Sequence, residues 1–188
     1  MVGPVEWSQS FGMGTGKEHL DLMKDIKYMY GINTLMHDEN HGRVYEKDGV
    51  KTIDYTLHPK NIKSVKMALK QASKLHFASG AKKVFLPSYT RTEITSVDQI
   101  DAAIESISFE PNNLFMTSFH PQGTCQMGAD AKTSVVNETG EAHDVKGLFV
   151  VDASIFPQTT LFHPQLTVYT LASYIADQVI ADKSGNFG

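Results

Sequence analysis

Cysteine is nearly absent from this sequence: Cys125 is the only one among 188 residues. A single thiol closes no intrachain disulfide and builds no thiolate metal cluster. Long apolar runs are missing too, and no stretch approaches the roughly 20 apolar residues that span a bilayer. The first residues, Met1 to His19, have neither the basic start nor the apolar core of a signal peptide. Positive charge is not in excess. Against 21 Asp and Glu stand 17 Lys and Arg, and the formal net charge of −4 is the wrong sign for a surface that tracks phosphates. The lysines gathered between Lys60 and Lys83 recur at helical spacing among apolar positions, as on a solvated helix face. Repeats and low-complexity tracts are also absent. These absences lead us to expect no nucleic-acid partner, no membrane span and no metal; they leave the compartment open, with the cytoplasm slightly favoured, and say nothing of export if the chain is part of something longer.

What is present suits a globular protein. Hydrophobic residues make up 41% of the chain, enough at this length to bury one sizeable core or two small ones. Near the start, Gly12, Gly14 and Gly16 before Lys17 suggest a phosphate loop, but the spacing fails. A Walker loop ending there needs glycine where Phe11 stands and Ser or Thr where Glu18 stands; a Rossmann turn needs a preceding strand. A short helix is expected near His19 to Tyr30. Residues 42–45 and 52–57 read as strands joined through Lys47-Asp48-Gly49, a hairpin signal. Pro59 then opens a helix of about twenty residues, with Ile62, Val65, Leu69, Ala72 and Leu75 on one apolar face and lysines on the other. Gly80 stands where a left-handed residue ends such a helix. Val84 to Pro87 reads as a short strand, and Ser96 to Ile107 as a weaker helix with Ser96 at its N-cap and Asp98 in its first turn.

The last third carries the chemistry. Gly147 to Asp152 is a compact run of Leu, Phe and Val ending in an acid, as in a buried strand of an α/β sheet. A loop with Pro157 follows, and Pro164 suits the first turn of a helix. Val168, Leu171, Ala172, Ile175, Val179 and Ile180 form its apolar stripe, and Gly185 lies just past its end. Two histidines flank this strand–loop–helix unit: His120, in the run from Phe119 to Gly128, and His163, directly before Pro164. A lone loop histidine is usually exposed or locally hydrogen-bonded. The helix entered at Pro164 changes that weighing, because its free N–H groups near Gln165 and Leu166 favour an anion. A histidine beside them can serve as base or donor while the helix end stabilises negative charge. Cys125 reads as a packed small residue rather than a nucleophile, Met127 as core, and His143 as an exposed turn residue.

These blocks, HPQGTCQMG from His120, KGLFVVDASIFP from Lys146 and HPQLTVYTLASYIAD from His163, resemble the C-terminal signature of the glucose–methanol–choline (GMC) oxidoreductases. A Gly42-Arg43-Val44 strand, a strand near Tyr55, a long helix and Ala78-Ser79-Gly80-Ala81 agree with it upstream. The likeness runs from about His37 to Asp182, and its last roughly 65 residues, which carry the three blocks from His120 onward, are the specific part. It implies FAD as cofactor and a small-molecule alcohol as substrate, with His120 as the base that accepts the hydroxyl proton. His163, where the family more often has Asn, would hold and orient the alcohol oxygen. Asp152 and Ala153 fall where the family contacts FAD, and Pro164, Gln165 and Leu166 where the helix N-terminus meets the flavin.

The strand–GxGxxG–helix unit that grips FAD in the family has no counterpart here. The expected fold is therefore mixed α+β and α/β, an incomplete GMC fold. Residues 1–113 would be a partial substrate-binding domain with sheet and helices. Residues 114–188 would be the signature region, returning to the FAD domain as strand, loop and helix. Two functions are expected. The chain is the catalytic part of a GMC-type alcohol oxidase or dehydrogenase, inert alone and completed by a missing, separately encoded or covalently linked N-terminal FAD-binding half. Alternatively it is an inactive fragment or non-catalytic subunit that keeps the family scaffold.

Overall fold

The computed structural model describes residues 16–111, 113–160 and 162–184, and the chain divides into two compact units between Thr117 and Ser118. Gly12 and Gly14 of the rejected phosphate loop lie outside the described residues, as does Gly185. The architecture is mixed helix and short sheet, as expected in its coarse form. No helix among the described residues is long and apolar enough to cross a membrane.

In the first unit, α1 (Lys17–Lys24) and a 3₁₀ turn over Ile26–Tyr28 fill the stretch expected to hold a short helix. The hairpin pairs β1 (Arg43–Lys47) with β2 (Val50–Asp54), from Arg43↔Asp54 to Lys47↔Val50. Its two-residue turn has φ 53° at Asp48 and 76° at Gly49, the doubly positive geometry that matches strand twist. The second strand stops at Asp54, three residues short of expectation. There Tyr55 leaves the ladder to donate its hydroxyl to Asp38 Oδ1, and the Thr56 carbonyl accepts from Asn40.

Helix α2 (Pro59–Ala78) begins where the sequence indicates, with Pro59 in its first turn and the His58 ring accepting from the Lys60 amide. Ala81 N–H donates to His76 O and Gly80 N–H to Phe77 O, with Gly80 at φ 91°. This is the paired C-terminal closure that glycine permits. The buried face differs from the expected stripe: it runs through Asn61, Val65, Leu69 and Ser73, while Leu75 is 55% exposed. Asn61 sets this rotation, because its side chain donates to His37 O and accepts from the Glu39 amide. Strands β3 (Val84–Phe85) and β4 (Glu93–Ile94) pair antiparallel. Ser96 caps a 3₁₀ turn over Val97–Gln99 with a reciprocal Gln99 bond, and α3 (Ile100–Glu105) continues it. Val65 and Leu69 of α2 close over Val84, Leu86, Ile94, Ile100, Ile104 and Ile107.

In the second unit the long α4 (Gln165–Ser184) lies over an irregular segment. Val136, Ile155, Phe156 and Ile175 are its buried core, with Met127, Phe149, Val150, Val168, Leu171 and Val179 packed around them. The strand expected over residues 147–152 is not formed. Its pairing reduces to a bridge between Glu141 and Phe149 and the bonds Ala142 N–H to Leu148 O and Val150 N–H to Gly140 O. Leu148 is 50% and Val151 37% exposed. A buried parallel strand needs neighbours on both sides, and here one short segment serves one side.

Candidate active site

Each candidate histidine precedes a proline, which disfavours the helical region at the residue before it. The loop that follows His120 is fastened to the turn after Asp152 by alternate amides: Gly123 to Ala153 O at 3.3 Å, Cys125 to Ser154 O at 2.9 Å and Met127 to Ile155 O at 2.8 Å. Gly123 has φ 80°, and a Cβ there would stand 3.4 Å from Phe156 O, so this close approach suits glycine. On the facing turn, Asp152 Oδ1 accepts from the Ser154 amide at 2.7 Å. Bonds from the Ser154 side chain and backbone hold that carboxyl below the usual range. Ala153, half-buried, joins the brace through its carbonyl.

The two histidines meet. His163 Nδ1 lies 3.4 Å from His120 Nε2, with ring centroids 5.1 Å apart and planes crossed at 83°. That separation is long for a hydrogen bond, and it leaves two imidazole nitrogens near enough for one small group to reach both. His120 is half-buried and His163 exposed. Directly after His163, Pro164 is buried and its carbonyl accepts the first helical bond, from Val168 N–H at 2.9 Å. The amides of Gln165 and Leu166 therefore precede the helical ladder and stand at its positive end. Leu166 is 77% exposed, and the Gln165 side chain donates to Tyr169 Oη at 2.7 Å. The structure thus brings together His120, His163, Pro164, Gln165 and Leu166, and puts Ala153 in the brace to the His120 loop, with Asp152 at the head of the turn that makes it.

Other residues of this neighbourhood escape sequence reasoning. His143, expected to be exposed, is half-buried; its Nε2 lies 2.9 Å from Ser134 Oγ and 3.2 Å from Gly128 O, so it secures the far end of the His120 loop. Gln122 and Thr160 are joined by two bonds between the histidine loops. Neither carried a local signal, because their partners are distant in the chain. Cys125 is half-buried and free. Among the described residues no group of three His, Cys, Asp or Glu could hold a metal ion.

The GMC oxidoreductase family model, for the C-terminal domain, matches residues 38–172. An uncharacterized GMC-type oxidoreductase of Mycobacterium tuberculosis (strain ATCC 25618 / H37Rv) is 29% identical over 172 residues, covering 92% of this chain and 27% of that protein. A long-chain-alcohol oxidase of Arabidopsis thaliana is 29% identical over 185 residues, 95% of this chain and 24% of that protein. An oxygen-dependent choline dehydrogenase of Escherichia coli (strain SE11) is 39% identical over 88 residues, 47% of this chain and 14% of that protein. The chain spans about a quarter of the length of the first two of these relatives. With the match running from Asp38 to Ala172 and enclosing both histidines, the chain belongs to the GMC oxidoreductase family.

Proposed function

We propose that this chain supplies the proton-handling residues of an enzyme that oxidises an alcohol with FAD, with His120 as base and His163 orienting the alcohol oxygen. The observation that carries this reading is the meeting of two histidine rings, 43 positions apart in the chain, at 3.4 Å. A hydroxyl within reach of both nitrogens can give its proton to His120 Nε2 while His163 Nδ1 donates to the oxygen. Base catalysis of this kind contributes about 10²–10⁴-fold. FAD, when bound, supplies the hydride acceptor.

The residues present fit that cofactor. The unladdered amides of Gln165 and Leu166 favour negative charge by about 0.3–1 kcal/mol, up to ~2 in partly buried geometry. Exposed Phe162 and Leu166 at the same turn offer apolar cover for a flat ring. Gln165, Leu166 and Pro164 would hold the flavin, with Asp152 and Ala153 as further contacts. Long-chain alcohols and choline, named for two relatives, are the first donors to try.

The exposure of His163 and Leu166 also favours a requirement for more protein around the pair, because such chemistry runs best where water is excluded. In this reading the chain alone neither binds FAD tightly nor turns over alcohol, and an N-terminal FAD-binding half completes it. The same exposure suits the second reading, a non-catalytic subunit that keeps the scaffold. Co-expression with an N-terminal half separates the two. Flavin absorbance with alcohol-dependent dye reduction is expected under the first reading, and flavin without turnover under the second. His120→Ala should keep the flavin and lower kcat by about 10²–10⁴-fold; unchanged turnover rules His120 out as the base.

A further inference from the structure

We infer that Gln122 is a positioning residue for the histidine pair, acting through Thr160; this rests on the reading of His120 as the base. Gln122 follows His120 with only Pro121 between, and Thr160 stands three residues before His163. Gln122 Oε1 accepts from the Thr160 amide at 3.0 Å, and Gln122 Nε2 donates to Thr160 Oγ1 at 3.3 Å. The Thr160 hydroxyl in turn donates to Phe162 O at 2.8 Å, the carbonyl of the peptide that enters His163. The bonds form a one-way chain in which each polar atom plays a role open to it, so the amide orientation is fixed by the network.

The clamp spans 38 residues of sequence, yet each end lies close to a histidine. Pro121 makes the link from Gln122 to His120 stiff. The Phe162 carbonyl is the last acceptor before the His163 ring's own backbone. Gln122 is half-buried, which strengthens its bonds relative to a fully solvated amide. A tie that merely closed a surface loop would not need both an acceptor and a donor on one side chain. This tie does: an acceptor alone would keep the Thr160 amide but draw the Thr160 hydroxyl away from Phe162 O. Gln122→Glu makes that substitution with almost no change in shape.

The test is carried out on the full 188-residue chain, isotope-labelled and without flavin. It reads the nuclear Overhauser contact between the His120 and His163 rings and the hydrogen exchange of the Thr160 amide. In the wild type the ring contact is present and the amide protected. Thr160→Ser keeps both. Gln122→Ala should lose the ring contact and speed Thr160 exchange about tenfold or more. Gln122→Glu should keep the amide protected but weaken the ring contact. Exchange of the α4 amides, unchanged throughout, reports that the second unit is folded; if Gln122→Ala does not fold, Gln122→Glu decides. Ring contacts that survive both substitutions overturn the inference, as does an unprotected Thr160 amide in the wild type. In the flavin-containing assembly, Gln122→Glu should lower kcat by about 10–100-fold with KM within about twofold. The ring measurement involves neither flavin nor alcohol. A clamp that fails it leaves the base assignment standing, and a clamp that passes it in a wild-type assembly without turnover counts against the base assignment alone.

Discussion

Tyr55 ends β2 by turning its hydroxyl onto Asp38 Oδ1 at 2.5 Å. Burial, then the hydrogen bond to that carboxylate, pushes the phenol well above its ordinary range. With its folded value raised, the protonated form is favoured in the folded state. The stabilisation is therefore full below the ordinary tyrosine value of about 10 and is lost as pH rises beyond it. Tyr55→Phe should cost about 1 kcal/mol at neutral pH after discounting for partial exposure. It should also lose less stability than the wild type in urea melts taken at increasingly alkaline pH; equal alkaline slopes would contradict the bond's role. Gly140 gives a second residue-level expectation. It has φ 77°, and a Cβ there would stand 2.9 Å from Ile175 Cδ1 and 3.1 Å from Val150 O. Gly147, at φ 80°, has nothing within 4 Å. Gly147→Ala should cost about 1–2 kcal/mol from backbone strain alone, and Gly140→Ala about 1–3 kcal/mol more from overpacking. Thermal melts showing equal losses would mean that Ile175 and Val150 yield freely. Both candidate histidines stand out in the sequence because one opens a helix and each begins a block that resembles the family signature. Gln122, Thr160 and His143 were not, since a polar side chain that bonds across a loop leaves no periodic trace.

At the scale of elements, local signals served well where the structure itself is local. The Asp48-Gly49 turn, the proline start and Gly80 end of α2, and the Ser96 cap are each decided within a few residues. Where the deciding partner is remote, the pattern misled. The apolar periodicity carries the α2 stripe through Leu75, yet the helix turns to seat Asn61 on residues 37–39. Asn61 is 2% exposed, so Asn61→Ala removes its bonds to His37 O and the Glu39 amide and should cost about 1–3 kcal/mol. A melt shifted by less than the error of measurement would show that water replaces it. The run over residues 147–152 has the composition of a buried strand, but a strand's existence depends on what lies alongside, and here it gains a single bridge.

On the scale of the whole molecule, each unit closes its own core, and α4 carries more apolar surface than its core uses. Ile175 is 1% exposed on one side, while Leu166, Tyr169, Tyr174 and Ile180 are 50% exposed or more. Large apolar side chains clustered on a second face of a helix normally mark a surface that something covers. That unused surface, beside an open histidine pair, agrees with the proposal that catalysis needs a flavin-binding half around this chain. The family was legible from the ordered blocks of the last third, and two of those blocks are bound to one another by the brace between residues 123–127 and 153–155. Function beyond the family was less so, since the alcohol and the cofactor would meet surfaces contributed from elsewhere. The most direct measurement is the rate at which an alcohol bleaches the flavin, without oxygen, in the co-expressed assembly carrying either wild-type or His120→Ala chain. Bleaching by the wild type, slowed about 10²–10⁴-fold by the substitution with flavin content unchanged, is the expected result. Equal bleaching by both would contradict the assignment of His120 as the base.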